Sequence, residues 1–214
     1  MQRPLAIFGG TFDPIHNAHL RVAWEAAEAL DADVRLLPAS VPPHRDQPLA
    51  DARQRAALVR AALAGQARLT LDTRELQREG PSYTIDTLVE LRDEIGADRP
   101  LVLLVGADAF AGLATWHRWR ELFDLAHVVV AHRPGWKAPT QGPLGELMVD
   151  RGTGAVNDLH TAPAGRIYVH AVTQLEISST ELRQIIDAGR DPRFLVPDAV
   201  REIIRESGCY ARPR

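Results

Sequence analysis

The sequence predicts an α/β protein: one domain over residues 1–214, with a mostly parallel sheet and helices on both of its faces. Three observations carry this. Short continuous apolar runs recur along the chain, and the strongest, Leu101 to Val105, is apolar at five positions in a row, as strands buried on both faces are. Amphipathic helical stretches alternate with these runs, and a strand, a helix and a second strand in succession imply a right-handed parallel crossover. Finally, 214 residues of which 45% are hydrophobic suffice to bury a sizeable core in a single domain.

The elements follow in order. Leu5 to Phe8 reads as a buried first strand. From Asn17 to Leu30, the residues Leu20, Ala23, Trp24, Ala27 and Leu30 form an apolar stripe at helical spacing, with Arg21, Glu25 and Glu28 elsewhere. Val34 to Leu37 is too short and continuous for a helix and reads as the second strand. Asp51 to Ala64 is an alanine-rich helix, and Leu69 to Asp72 a short strand. Pro81-Ser-Tyr-Thr84 precedes the amphipathic run Ile85, Leu88, Val89, Leu91 and Ile95, where serine and threonine are helix-capping signals. His127 to Ala131 is another buried strand and Arg166 to Val172 the next. Between them, Trp136 to Gly165 is rich in proline and glycine and is read as an irregular connection without chemistry. A helix opens at Ser178, Ser179 and Thr180 and runs through Leu182, Ile185 and Ile186, with Ser178 and Glu181 spaced as a capping box. Pro197 to Glu206 is the final helix, with Pro197 suited to its first turn.

Composition narrows the function. The formal net charge is −3 and no Lys/Arg block stands out, so the chain lacks the basic face that nucleic-acid binding needs. No charged lead precedes a long apolar segment, and no apolar run approaches a membrane span. The expectation is a cytoplasmic protein with no nucleic-acid or membrane partner. Cys209 is the single cysteine, which leaves no internal disulfide and no cysteine metal cluster.

The chemistry gathers in Phe8-Gly-Gly-Thr-Phe-Asp-Pro-Ile-His-Asn-Ala-His19, between the first strand and the first helix. A strand, a glycine turn and a helix start are the parts of a phosphate cradle. Gly9 and Gly10 let the backbone turn and approach a ligand closely, and Thr11 offers a hydroxyl at the mouth. His16 and His19, three apart, project from one face of a first helical turn, beside free N–H groups and the positive end of the helix dipole. This arrangement suits a polyphosphate. A Walker loop is excluded, because the single lysine, Lys137, lies far away, and neither G-x-G-x-x-G nor H-E-x-x-H occurs here. A glycine turn followed by surface histidines is the ordinary alternative for either feature alone.

Three further positions carry a chemical and an ordinary reading. Asp108, after Gly106 at the end of the central strand, suits a ribose hydroxyl or a hydrated magnesium ion, or equally caps the following turn. Arg133 leaves the end of its strand within reach of a phosphate. Val41-Pro-Pro-His-Arg45 is a stiff loop presenting His44 and Arg45 outward.

GGTFDPIHNAH resembles the signature of the nucleotidyltransferase branch of the HIGH superfamily, and within it of bacterial nicotinate-nucleotide adenylyltransferases. Ile177-Ser-Ser-Thr-Glu-Leu-Arg183 resembles the superfamily's second nucleotide motif, and PPHR, PSYT and Trp116 stand in the family's order. One departure is Ala18, where many relatives have glycine. The resemblance implies a Rossmann-like fold and transfer of AMP from ATP to nicotinate mononucleotide, with magnesium accompanying ATP. It assigns ATP to Gly9, Gly10, Thr11, Phe12, His16, His19, Gly106, Asp108, Ile177, Ser178, Ser179 and Arg183, with His16, His19 and Arg183 catalytic. To the mononucleotide it assigns Thr11, His44, Arg45, Tyr83, Thr84, Asp108, Trp116 and Arg133, with Trp116 as the platform for the pyridine ring.

Overall fold

A computed structural model describes residues 2–40, 47–78 and 80–211. Seven strands form one sheet: β1 (Leu5–Gly10), β2 (Asp33–Pro38), β3 (Leu69–Leu71), β4 (Leu101–Gly106), β5 (His127–His132), β6 (Gly152–Thr153) and β7 (Ile167–Ala171). Their order is β3-β2-β1-β4-β5-β7-β6, and every pairing is parallel. The expectation of a mostly parallel sheet thus becomes a wholly parallel one.

Alternation along the strands divides the core. Ala6, Val102, Leu104 and Val129 point to a layer with α1 (Asn17–Ala29), α2 (Ala52–Ala62), α8 (Ser179–Asp187) and α9 (Asp198–Ser207). Leu5, Ile7, Leu103, Val105, Val128 and Val130 point to the opposite layer, with α3 (Thr84–Ile95), α4 (Ala107–Ala111) and α5 (Leu122–Leu125). Burial on both faces is why these strands read as unbroken apolar runs. The chain leaves β1 towards β2 on one side and returns to β4 on the other. Their carboxyl ends therefore flank a switch point, where ligands of open parallel sheets bind.

The 136–165 stretch corrects the sequence reading. It contains α6 (Gly142–Arg151), the edge strand β6 and the short α7 (Asp158–Thr161). Glycines at 142 and 145 concealed α6. Gly145 is there for close packing: a Cβ at that position would stand 2.5 Å from the Thr140 carbonyl carbon. Two caps also differ from expectation. The N-cap of α3 is Tyr83, which makes no side-chain cap bond, because the Ser82 hydroxyl instead accepts from the Ser40 N–H at 3.1 Å. Pro197 is the N-cap of α9 rather than a residue of its first turn.

Candidate active site

The opening motif turns at a residue other than its glycines. Gly9 and Gly10 continue β1 in extended form, and the left-handed turn is made by Phe12, with φ 48°. Gly10 is required by that turn, since a Cβ there would come within 2.9 Å of the Phe12 ring. Around Gly9 the space is open on the side where a Cβ would stand, so a ligand can approach the strand end closely.

His16 is the N-cap of α1, with extended backbone angles, and so precedes the first turn in which it was expected. His19 lies inside that turn. The two imidazoles nonetheless stack, their centroids 3.7 Å apart with 22° between planes. His19 also meets Phe12 edge-on at 5.1 Å, which fixes its orientation. His16 is 3% exposed and its Nδ1 has no hydrogen-bond partner among the described residues. Burial lowers its pKa from 6.5 to about 4, so at neutral pH it is an uncharged imidazole that can donate one N–H.

The second motif is bound to the first. Ser179 Oγ donates to the Pro14 carbonyl at 3.0 Å, and Arg183 Nη1 donates to the Asp13 carbonyl at 2.7 Å. Arg183 Nη1 also lies 3.7 Å from the Asp13 carboxylate, and Nη2 reaches Thr180 Oγ1 at 3.3 Å. The start of α8 is thereby held beside the start of α1, and two helix N-termini converge on one loop. Ser178 caps α8 by accepting from the Glu181 N–H. Glu181 answers by accepting from the Ser178 hydroxyl instead of from the N-cap backbone, so the box is only half of the usual pattern. Ile177 and Ser178 also line a cavity of about 350 Å³ with Glu181, Ile185, Arg190 and Leu195, whose lining includes neither His16 nor His19.

The remaining candidates lie along the same edge of the sheet. Gly106 is the N-cap of α4 and Asp108 stands exposed in its first turn, so Asp108 does not occupy the capping position. Arg133 is exposed just beyond β5. Tyr83 and Thr84 are half-buried at the start of α3, and Trp116 packs half-buried against the same layer. The Tyr83 ring lies 4.5 Å from that of His117, tying the α3 start to the Trp116 turn. His44 and Arg45 fall outside the described residues.

Three residues support the site, Asp13 and Asn17 from within the opening motif and Arg55 without any sequence signal. Asp13 accepts from the Leu49 and Ala50 N–H groups at 2.9 and 3.1 Å. Arg55, inside an alanine-rich helix, is 1% exposed. Its guanidinium donates to the carbonyls of Thr11, Ala39, Ser40 and Ala50 at 2.7–3.3 Å, binding the ends of β1 and β2 from beneath. Asn17 Nδ2 donates to the Phe194 carbonyl, fastening the start of α1 to the segment before α9. Only tertiary contacts reveal these roles.

A wholly parallel sheet with two helix starts and a histidine pair at its switch point is the framework of a nucleotidyltransferase, and a model of the cytidylyltransferase-like family matches residues 7–185. A protein of Cellvibrio japonicus named "Probable nicotinate-nucleotide adenylyltransferase" is 49% identical over 211 residues, covering 98% of this chain and 100% of the relative. A protein of the same name from Pseudomonas aeruginosa is 47% identical over 215 residues, covering 100% of each chain. The chain belongs to the nicotinate-nucleotide adenylyltransferase family. Among solved structures, Plasmodium falciparum nicotinic acid mononucleotide adenylyltransferase complexed with NaAD is similar in fold, with TM-score 0.74, 15% identity and 98% of each chain covered.

Proposed function

We propose that this protein, acting as one domain over residues 1–214, transfers the adenylyl group of ATP to nicotinate mononucleotide, a step of NAD biosynthesis in the cytoplasm. The observation that carries the reading is the stacked His16–His19 pair beside a loop that Ser179 and Arg183 hold from the other side. In the reaction a 5′-phosphate oxygen of the mononucleotide forms a bond to the α-phosphorus of ATP. The bond from that phosphorus to the β-bridging oxygen breaks, and pyrophosphate leaves with the electron pair. The products are nicotinate adenine dinucleotide and pyrophosphate.

The attacking phosphate has a second pKa near 6 and needs no general base at neutral pH. What the chain supplies is in-line positioning of two anions and donors for the charge that develops. His16 and His19 take the α- and β-phosphates, Ser179 and Arg183 the rest of the triphosphate. Thr11, at the switch point, lies where both substrates meet. Gly9, Gly10, Phe12, Gly106, Ile177 and Ser178 complete the ATP side. Tyr83, Thr84 and Trp116, on the opposite layer, receive the mononucleotide together with His44, Arg45 and Arg133, and Asp108 faces a ribose. No group of three or more carboxylate, histidine or cysteine side chains placed to hold a metal occurs among the described residues. Magnesium would arrive on ATP, held mostly by phosphates and water with Asp108 nearby. There it would neutralise phosphate charge.

The Asp86 and Thr87 N–H groups donate to the Tyr83 carbonyl, which leaves those of Thr84 and Ile85 at the start of α3 for an anion such as the nicotinate carboxylate. The test is to incubate the protein with ATP, magnesium and each of nicotinate mononucleotide, nicotinamide mononucleotide and phosphopantetheine, measuring pyrophosphate. The expected result is turnover with the acid at a kcat/KM at least about tenfold above the amide, roughly 1.4 kcal/mol of transition-state discrimination. Equal rates with acid and amide would remove the acceptor assignment, and no release with any acceptor would leave a nucleotide-binding protein without transferase activity.

A further inference from the structure

A buried carboxylate lies beneath the start of α3 with no part in phosphate binding. Glu75 sits in the 3-10 turn Arg74–Gln77 and is 7% exposed. Its Oε1 accepts from Thr87 Oγ1 at 2.8 Å, and Thr87 is wholly buried on α3. The Ser82 hydroxyl also favours the ionised form of Glu75 by hydrogen bonding, as does the charge of Arg78. Arg78 Nη1 donates to Thr87 Oγ1 at 3.3 Å, and Ser82 Oγ accepts from the Ser40 N–H just beyond β2. Glu75 and Arg78 thus converge on the Thr87 hydroxyl in the first turn of α3, while Ser82 ties the chain just before that helix to the end of β2. Thr87 shares that turn with Thr84, and Tyr83 is the N-cap.

Burying a carboxylate is costly unless its hydrogen bonds accomplish something. Burial indeed raises the Glu75 pKa, against the lowering by its partners. An apolar side chain would fill the same volume without that cost, yet it could not orient the Thr87 hydroxyl. We propose that Glu75 is a positioning residue for the acceptor: by holding Thr87 it sets the first turn of α3, and with it the Tyr83–Thr84 edge of the mononucleotide site. This rests on the acceptor assignment made above.

Steady-state kinetics of Glu75→Ala and Glu75→Gln, with each substrate varied in turn, test it. Displacing a binding edge by a fraction of an ångström to an ångström costs up to about a hundredfold. For Glu75→Ala the KM for nicotinate mononucleotide should rise about tenfold or more, while the KM for ATP stays within about twofold. Glu75→Gln keeps the shape and one acceptor oxygen, so it should recover part of the loss; this variant also serves if the alanine variant does not fold. A loss shared equally by both substrates, or an unchanged mononucleotide KM in either folded variant, would overturn the proposal. Failure of the wild-type protein to use nicotinate mononucleotide at all is a separate outcome, which overturns the acceptor assignment and this inference with it.

Discussion

His16 should make the folded protein sensitive to mild acid. Burial holds its pKa at about 4 in the folded chain, against 6.5 for an exposed histidine. Between those values the unfolded chain binds a proton that the folded one does not, so stability falls as pH falls through this window. At about 1.4 kcal/mol per unit the gap corresponds to roughly 3 kcal/mol, a large share of a typical total of about 5–15 kcal/mol. Carboxylates with a lowered pKa act in a different window. Hydrogen bonds from Arg35 and Arg74 lower Glu94 to about 2, so its contribution is lost only as pH falls from its ordinary range towards that value. Urea unfolding of the wild type and of His16→Asn from pH 7.5 to 4 isolates the histidine. Relative to the variant, the wild type should lose about 3 kcal/mol on acidification. Stability curves of the two proteins that run parallel over this range, or an NMR titration of the His16 ring near 6.5, would refute the reasoning.

Other perturbations separate chemistry from support. His19→Ala should lower kcat by about 10²–10³-fold, like loss of an oxyanion donor, and its edge-on contact with Phe12 adds about 1 kcal/mol of lost stability; turnover near that of the wild type would remove His19 from the mechanism. Arg55→Met leaves the carbonyls of Thr11, Ala39, Ser40 and Ala50 without their donor. It should cost about 3–5 kcal/mol and lower the thermal midpoint by roughly 10 °C; calorimetry showing a shift under about 3 °C would mean that these carbonyls find other partners. Cys209→Ser should keep full activity, since the thiol sits beyond α9 with Ser207 as its hydrogen-bond partner. Inactivation of a folded Cys209→Ser protein would contradict that placement.

How much of this was legible in the sequence depends on the range of the interaction involved. Runs such as Leu101 to Val105 and the stripe from Leu20 to Leu30 announced buried strands and an amphipathic helix, because burial on two faces or on one stripe leaves a local periodic trace. Order along the chain then implied parallel crossovers and placed the histidine motif at a strand's carboxyl end. Signals failed where a residue answered a partner outside its own element. Gly145 reads as a helix breaker but accommodates Thr140, and Ser82 reads as a cap but turns to Ser40.

The sequence alone determined the fold class, the two helix-start motifs and the family, because each is written in contiguous residues whose spacing is itself the signal. Tertiary structure decided how those motifs become one site. Arg183 and Ser179 reach back to Asp13 and Pro14, and the guanidinium of Arg55 closes the loops from below. Glu75 braces α3 through Thr87. Burial alone makes His16 a neutral donor. None of these contacts has a sequence period, since each joins residues brought together only after the sheet has formed, and the energy of a buried charge or hydrogen bond depends on that enclosure.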